Sequence, residues 1–482
     1  MKPDVIVVGA GSGGGVVASR LTEDPKVNVL LLEAGPDTWP DVPDAVKHVR
    51  GGSGVEEYDW HYGDPSIGAV LPRGRLVGGS SAINASYALR GQPVDYDGWG
   101  PGWSWSECLP YFNRLENDAD FGEAPYHGRG GPIHIERSRP DSAVEESFIA
   151  ACLELGHQPL ADLNSPGGLG VGPLPRNIHN GVRQSTLVTY LAAARGRPNL
   201  EIRGGALVDR LLFDGDRVTG VALADGEEIR APRTVLAGGA YNSPQVLLRS
   251  GVGDAAQLRR HGIGVHLELP EVGRHLTDHP LTVFVMQVES GLPTDKVRVG
   301  PTVKLRSTPD LPADDMKITL FPDGEILNLP GLTGLHIEID ETYSEGLVEL
   351  RSKDPKDAPR IDSGLLSDPR DHKKYMFGVS HMVEIFDAMR DGTHAEMLLP
   401  DEASAHDREA LLEYVMTHFS TGYHPSGTCR IGHVVDERCR LIGARGLWLA
   451  DASIMPSVPR ANTNLPTLMI GERVADFVKS EL

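Results

Sequence analysis

The amino-terminal segment alternates short apolar runs with a glycine-rich stretch. Residues 4–8 and 27–33 consist mostly of Val, Ile and Leu, and residues 13–21 between them have the periodicity of a helix. Short runs that are apolar at nearly every position are typical of strands buried on both faces, as in parallel sheets. The pattern therefore predicts a strand, a turn, a helix and a second strand at the start of a parallel α/β sheet.

The central segment continues with strand-like runs separated by turn sequences. Predicted strands cover residues 199–203, 208–213 and 218–222, and the turns DGD and ADGEE follow the last two of them. This spacing predicts an antiparallel meander inserted into the sheet. Residues 234–237 form a further apolar run that leads into a predicted helix, as in the first unit.

The pattern changes in the next part of the chain. Strand-like segments at residues 282–288, 317–321, 335–339 and 347–351 are divided by loops rich in Pro, Gly and Asp, and they predict a second sheet. Residues 371–389, 407–417 and 467–482 have the periodicity of helices, and the last of these is amphipathic.

Composition narrows the classes of partner. The 482 residues are 40% hydrophobic and 23% charged, which is typical of a globular chain large enough for two domains. The chain has 46 Lys and Arg but 67 Asp and Glu, so its formal net charge of −21 argues against nucleic acid and an anionic membrane surface as partners. A small neutral or cationic partner is expected.

Cysteines, histidines and apolar runs exclude further classes. The four cysteines are too few for a disulfide framework, no two have CxxC spacing, and the histidines show no metal-ligand spacing. No metal site is therefore predicted. No apolar stretch approaches the roughly 20 residues that cross a bilayer, and no targeting peptide is visible. These features predict a cytoplasmic protein without an integral membrane segment.

The turn after the first predicted strand carries the first chemical motif. Gly9, Gly11 and Gly14 form GxGxxG, and Glu33 ends the next predicted strand. Such glycines allow a tight turn, the approach of a pyrophosphate to backbone N–H groups and close helix packing, while the acidic residue accepts from ribose hydroxyls. The motif predicts FAD or NAD rather than NADP; a turn packed for its own sake is the alternative.

The choice between FAD and NAD depends on a second loop, GRLVGGSSAIN at residues 74–84, whose small and polar side chains suit a backbone pressed against a flat polar ring. These residues resemble the first signature of the glucose-methanol-choline (GMC) oxidoreductases, a family of FAD enzymes. Residues 239–253, GAYNSPQVLLRSGVG, match the second signature. Residues 421–432 and 447–473 resemble the family's active-site His segment and its carboxy-terminal segment. Residues 284–410 are the least similar.

The resemblance implies an α/β fold of the glucose oxidase type, in which a Rossmann-like FAD-binding domain carries an inserted α+β substrate-binding domain. The discontinuous FAD-binding domain is expected at residues 1–145, 197–283 and 418–482. The substrate-binding domain is expected at residues 146–196 and 284–417, with the active site between the two.

The resemblance also implies a reaction. In this family the His of HPxGT acts as the base, which here is His424, and its partner position is Asn462, as in the choline-oxidising members. The expected reaction is oxidation of a small-molecule alcohol to a carbonyl by hydride transfer to flavin N5. The residues expected to bind FAD are Gly9, Gly11, Ser12, Gly14, Glu33, Ala34, Arg75, Gly79, Ser80, Asn84, Ala85, Val208, Asp451, Ala452, Asn464, Pro466 and Thr467.

Several positions depart from the family pattern or compete with it. Some members attach FAD covalently through a His at the position of Ile83, so FAD is expected to be non-covalent here. Ala88 and Gly422 stand where bulkier residues occur, which predicts extra space beside the flavin ring. His279, in TDHP, is expected in a loop rather than as a second base. The tryptophans of residues 99–105 are expected to form a lid or core packing rather than a substrate cage.

Three alternatives stay open from the sequence. The electron acceptor is dioxygen, a quinone or another respiratory carrier, and a membrane carrier would add peripheral attachment to the inner face of the membrane. The short chain also resembles the members linked to mycofactocin, for which the substrate is a reduced redox cofactor that feeds respiration. A different reaction class uses the same fold without net alcohol oxidation, either a lyase of the hydroxynitrile type, which also needs a base, or a light-driven fatty-acid decarboxylase.

Overall fold

The computed structural model describes residues 2–49, 55–288, 299–324 and 331–482. Its first sheet has five parallel strands, in the spatial order Leu200–Arg203, Val29–Leu32, Val5–Val8, Arg233–Leu236 and Leu447–Leu449. The chain order reverses beside the central strand, which is the doubly wound arrangement whose carboxyl edge binds ligands. The predicted α/β fold is therefore confirmed.

The edge strand Leu200–Arg203 corrects one prediction. Residues 199–203 were expected to begin the antiparallel meander, but they pair in parallel with Val29–Leu32. The meander consists of Val208–Asp214, Arg217–Leu223 and Glu228–Arg230. An edge strand of either sheet is only half-buried and has the same mixed pattern, so its sequence does not reveal its partner.

Helices cover the parallel sheet. Helix Ser12–Leu21 follows the first strand, and the long helix Asn464–Lys479 packs against helix Ser12–Leu21. Arg20 and Glu472 join these two helices by an ion pair of 2.8 Å. Gly239–Arg249 follows the fourth strand in the sheet order, where the sequence predicts a helix.

The second sheet is antiparallel throughout. Its strands within the described residues run in the order Glu396–Leu399, Pro280–Gln287, Thr333–Ile339, Met316–Phe321, Thr302–Leu305 and Gly170–Gly172, and Ser420–Thr421 pairs beside Pro280. Leu347–Glu349 is not part of this sheet, contrary to the prediction. It pairs with Arg360–Asp362 in a separate two-stranded sheet.

The two faces of the second sheet are both buried but differ in polarity. Phe284, Ile318 and Ile337 belong to an apolar core that includes helix Pro369–Thr393, which is itself covered by Ala143–Glu154. The opposite face carries Lys304, Lys317, His336 and Glu338, all buried. Charged side chains on a buried face need partners, and Lys317 pairs with Glu338 of the neighbouring strand, while Lys304 pairs with Asp314.

Shorter elements complete the structure. The other helices of the described residues are Asp44–Lys47, Glu56–Tyr58, Gly79–Ala82, Pro93–Asp97, Trp105–Leu115, Leu187–Leu191, Ala192–Ala194, Ala255–Arg260, Glu402–His406, Arg408–His418 and Ala452–Ile454. The other strands are Tyr62–Asp64 with Ala69–Leu71, Glu116–Asp118 with Ile133–Arg137 and Pro175–Arg176, Ile178–His179 with Val182–Arg183, and Val252–Gly253 with Leu267–Glu268. Among the described residues, no helix combines the length and the apolar character needed to cross a bilayer.

Two apolar cores correspond to the two sheets. Trp99 and Trp103 are buried in the core of the parallel sheet, which accounts for the tryptophan cluster as packing. Leu187 and Leu191 also belong to that core, although their segment was expected in the substrate-binding domain. The boundaries of the two domains otherwise stay a prediction.

Candidate active site

A cavity of about 960 Å³ lies where the carboxyl edge of the parallel sheet meets the polar face of the second sheet. Its volume is at the upper end of the about 300–1,000 Å³ typical of ligand sites. His424 and Asn462 line it. So do most of the residues expected to bind FAD: Gly9, Gly11, Ser12, Glu33, Ala34, Arg75, Gly79, Ser80, Asn84, Ala85, Val208, Asp451, Ala452, Asn464 and Thr467.

Gly14 and Pro466 do not line this cavity. Gly14 acts in packing, because a Cβ there would lie 1.9 Å from the carbonyl oxygen of Gly9. Pro466 is buried in the first turn of the last helix. Helix periodicity places Asn464 and Thr467 on one face of the helix and Pro466 on another. Asn464 and Thr467 therefore reach the cavity, whereas Pro466 does not.

The glycine turn fits a dinucleotide. Gly9 has a φ of +96°, and a Cβ there would lie 2.3 Å from the carbonyl oxygen of Ala237. At Gly11, by contrast, the nearest atom to a Cβ would be the Cα of Gly79 at 3.8 Å, so this glycine leaves open space above the helix start. Open space at the amino terminus of a helix is where a pyrophosphate binds.

Glu33 lies at the end of the second strand, where a ribose is held in such folds. Its carboxylate accepts from the backbone N–H groups of Ala10 at 3.0 Å and Gly35 at 2.9 Å. Burial raises the pKa of Glu33 to about 7, although these hydrogen bonds oppose the shift. The carboxylate is thereby fixed at the cavity wall.

The carboxy-terminal segment closes the same cavity. Ser12 Oγ donates to Asn464 Oδ1 at 2.9 Å, and Asn464 Nδ2 has no partner among the described residues. Asp451 accepts from the backbone N–H of Gly239 at 2.9 Å. Residues from the start, middle and end of the chain thus surround one cavity. The unpaired amide N–H groups of Asn464 lie at its wall, where FAD, which is rich in hydrogen-bond acceptors, would bind. These residues fit FAD.

His424 and Asn462 are brought together at the other end of the cavity. His424 lies in the loop after Ser420–Thr421 and is 7% exposed, while Asn462 precedes the last helix. The distance from Asn462 Nδ2 to His424 Nε2 is 2.9 Å. The backbone N–H of His424 donates to Asp278 Oδ1 at 2.8 Å, which fixes the loop.

Glu338 stands behind the His424 ring. Its Oε1 lies 2.9 Å from His424 Nδ1, 2.8 Å from His279 Nδ1 and 3.0 Å from Lys317 Nζ. Burial alone would raise the pKa of Glu338, but the Lys317 ammonium and the two imidazoles hold it well below its usual value. Because an ionised carboxylate only accepts, the neutral His424 imidazole carries its proton on Nδ1, the nitrogen that faces Glu338. His424 Nε2 is therefore left as an acceptor.

Burial lowers the pKa of His424, and the Glu338 carboxylate opposes that shift. The imidazole is consequently neutral at neutral pH, with the lone pair of Nε2 directed at Asn462. A neutral, fixed imidazole in a cavity is suited to remove a proton from a bound hydroxyl.

His279 and Gly422 acquire a role that the sequence did not suggest. His279 does not line the cavity, but its ring is buried against His424 with the ring centroids 5.1 Å apart. A Cβ at Gly422 would lie 3.0 Å from His424 Nδ1 and 3.1 Å from Glu338 Oε1. Gly422 thus makes room for this cluster of side chains, and it also lines the cavity.

Ala88 also differs from its prediction. It is buried and does not line the cavity, and its backbone N–H donates to the carbonyl oxygen of Pro175 at 2.9 Å. It therefore opens no space beside the ring. Ile83, at the position used for covalent attachment in other members, does line the cavity.

Comparison with known proteins decides the family. A family model described as GMC oxidoreductase matches residues 4–281 with its amino-terminal part and residues 342–471 with its carboxy-terminal part. The chain belongs to the GMC oxidoreductase family. It is thus an FAD-dependent oxidoreductase that acts on CH–OH groups.

Individual relatives of this GMC oxidoreductase agree with that assignment. It is 32% identical to the oxygen-dependent choline dehydrogenase of Brucella anthropi, over 99% of this chain and 96% of that protein. It is 35% identical to the mitochondrial choline dehydrogenase of Mus musculus, over 98% and 89% of the two chains. The structure of pyridoxine 4-oxidase from Mesorbium loti superposes with a TM-score of 0.89 at 29% identity, covering 98% and 99%.

The polar residues at or beside the cavity that sequence reasoning missed lie in the region least similar to the family. Glu338, His336 and Lys317 come from two neighbouring strands of the second sheet. The alternation in HIEID, at residues 336–340, was the available sign: polar side chains recur at every second position of a strand, which places them on one face. Their partners His279 and His424 are distant in sequence, so no sequence pattern indicates these contacts.

Proposed function

We propose that this GMC oxidoreductase oxidises a small primary or secondary alcohol to its carbonyl compound, with His424 as the base and Asn462 as the hydrogen-bond donor beside it. The observation that carries the proposal is the arrangement around His424: Nδ1 is held against an ionised carboxylate, and Nε2 faces the cavity next to the Asn462 amide, 2.9 Å away.

This arrangement determines which atom receives the proton of the substrate hydroxyl. A substrate hydroxyl placed between His424 Nε2 and Asn462 gives its proton to Nε2, and the Asn462 N–H groups hold the oxygen that loses it. The resulting imidazolium lies against Glu338, whose negative charge stabilises it, as the carboxylate does in a Ser-His-Asp triad. When bound, FAD supplies the acceptor for the hydrogen and two electrons that leave the carbinol carbon.

The burial of His424 and Glu338 strengthens the interaction between them. His424 and Glu338 are both buried, so the charge separation between them develops in a medium of low polarity, where an ion pair is stronger. FAD would be held by the glycine turn, Glu33 and the amide of Asn464, without a covalent bond, since Ile83 has no reactive atom at the attachment position.

The relatives narrow the substrate to small alcohols. Choline dehydrogenases and pyridoxine 4-oxidase are named for a quaternary amino alcohol and a heteroaromatic alcohol. We propose that this chain takes an alcohol of comparable size. The acceptor that reoxidises the flavin is dioxygen or a respiratory carrier. The rate at which the bleached flavin regains its colour in air distinguishes these two acceptors.

An anaerobic absorption spectrum tests the proposal. Purified protein loaded with FAD is mixed with aliphatic, aromatic and amino alcohols, and air is then admitted. Bleaching of the oxidised flavin by one class of alcohol supports the proposal and identifies the substrate class. A lyase would convert its substrate while the spectrum stays oxidised, and a chain whose substrate is a reduced redox cofactor would be bleached only by that compound. Either result would replace the proposal.

A further inference from the structure

His336 is an exception on the polar face of the second sheet. Neither of its ring nitrogens has a hydrogen-bond partner within the described part of the chain, although it is only 7% exposed. The other polar side chains of this face are paired: Thr302 with Thr319, Lys304 with Asp314, and Lys317 with Asp340. A buried polar group without a partner costs roughly 1–3 kcal/mol, so an orphaned one points to a ligand.

The His336 ring is directed at the active-site cavity. It lines that cavity together with Phe321, whose ring centroid is 5.6 Å away, and Val283 on the neighbouring strand. Burial lowers the pKa of His336 to about 4. At neutral pH the ring is therefore neutral and offers one N–H donor and one nitrogen acceptor.

Glu338 provides a second polar atom at the same place. Its three donors converge on Oε1, whereas Oε2 lies 3.7 Å from His336 Nε2, beyond hydrogen-bond distance. Glu338 and Asp340 together carry two negative charges, and Lys317 neutralises one of them. A donor placed between Oε2 and the His336 ring would satisfy both groups.

We propose that His336 and Glu338 Oε2 form a second polar subsite, which binds a hydrogen-bond donor of the substrate, an N–H or O–H group other than the reacting hydroxyl. This inference rests on the proposed function and specifies its substrate class. The preferred alcohols carry a second donor near the carbinol carbon. A quaternary ammonium alcohol has a positive charge but no N–H group, so it leaves the subsite unsatisfied.

A matched pair of amino alcohols tests this subsite. At pH 8, protonated 2-(dimethylamino)ethanol and choline have the same charge and nearly the same shape, but only the first has an N–H group. The ratio of their kcat/KM values for anaerobic flavin reduction is expected to be about tenfold to 100-fold in favour of the N–H compound, the range of one charge-assisted hydrogen bond. The same ratio of kcat/KM values for 1,3-propanediol and 1-propanol tests whether the subsite also accepts an O–H donor.

Two variants assign the preference to His336. His336→Leu is expected to lower the ratio, because only Glu338 Oε2 then remains to accept from the donor, whereas His336→Gln retains a donor and an acceptor and is expected to keep most of it. A wild-type ratio near one for both pairs, or a ratio that His336→Leu leaves unchanged, would overturn the proposal.

A binding measurement provides a readout besides activity. Titration calorimetry with dimethylethylamine and ethyltrimethylammonium, which lack the reacting hydroxyl, is expected to show tighter binding of the N–H compound to wild-type holoenzyme and a smaller difference between the two compounds for His336→Leu. If no alcohol reduces the flavin at all, the proposed function fails. If alcohols reduce it without discrimination between the pairs, only the subsite fails.

Discussion

Replacing Glu338 by Gln tests the part of the site that sequence reasoning missed. The carboxylate lies 2.9 Å from His424 Nδ1 and opposes the fall in the pKa of His424 that burial causes. Gln keeps the shape but removes the charge that stabilises the imidazolium. A charge-assisted hydrogen bond contributes about 1.5–3 kcal/mol, and each 1.36 kcal/mol is a factor of ten in rate. Flavin reduction is therefore expected to slow about 10- to 150-fold.

The pH profile gives the same variant a second readout. Without Glu338 the largest effects that raise the pKa of His424 are lost, and the smaller effect of Asp278 is left against burial and His279, so the pKa of His424 falls further. The acid limb, along which activity is lost as His424 becomes protonated, is expected to move to lower pH. Anaerobic stopped-flow measurement of flavin reduction between pH 5 and 9 records both effects.

The control for this variant is Glu227→Gln, which removes a carboxylate whose partner is the exposed Arg203. It is expected to match the wild type in rate and profile. The FAD content of each protein must be equal before rates are compared. Wild-type rates and an unchanged acid limb in Glu338→Gln would refute the role given to this carboxylate.

The remaining predictions concern the cofactor and the stability of the fold. Gly11→Ala is expected to fold normally, because the added methyl group meets only the Cα of Gly79 at 3.8 Å. It is expected to lose FAD in an equilibrium dialysis, because the methyl group occupies the space for the pyrophosphate. The control Gly196→Ala, with no atom within 4 Å of the added Cβ, should keep FAD. Acid precipitation of the holoenzyme is expected to release all flavin into the supernatant, and yellow colour in the pellet would contradict non-covalent binding. Because the pKa of His336 falls from 6.5 to about 4 on folding, the unfolded chain binds the extra proton, so the free energy of unfolding should decrease as pH falls from 6.5 towards 4. Between pH 7 and pH 5 this contribution amounts to about 2 kcal/mol. It should be absent from His336→Leu in urea denaturation at the two pH values, and equal losses in both proteins would contradict it.

The parts of the fold that the sequence predicted are those with local patterns. The strand of residues 4–8, the glycine turn and Glu33 follow one another within a short segment, and their spacing alone specifies the unit. Leu200–Arg203 was assigned to the wrong sheet, because the partner of an edge strand is decided by packing far along the chain.

The candidate site divides in the same way. His424 and Asn462 lie in motifs that resemble the family, and the structure places their side chains 2.9 Å apart. Glu338 and His336 lie in no motif, and their neighbours His279 and Phe321 come from other strands and loops. Only tertiary contacts reveal that a carboxylate supports the base and that an imidazole in the cavity is unpaired.

The most direct test of the account compares single-turnover flavin reduction in the wild type and in His424→Ala, both loaded with FAD, using the best alcohol from the anaerobic spectra. The wild type is expected to be bleached, with activity lost at low pH along one acid limb. His424→Ala is expected to bind FAD equally well and to be reduced about 100- to 10,000-fold more slowly, the range for loss of a general base. Reduction of His424→Ala at the wild-type rate would contradict the assignment of His424 as the base.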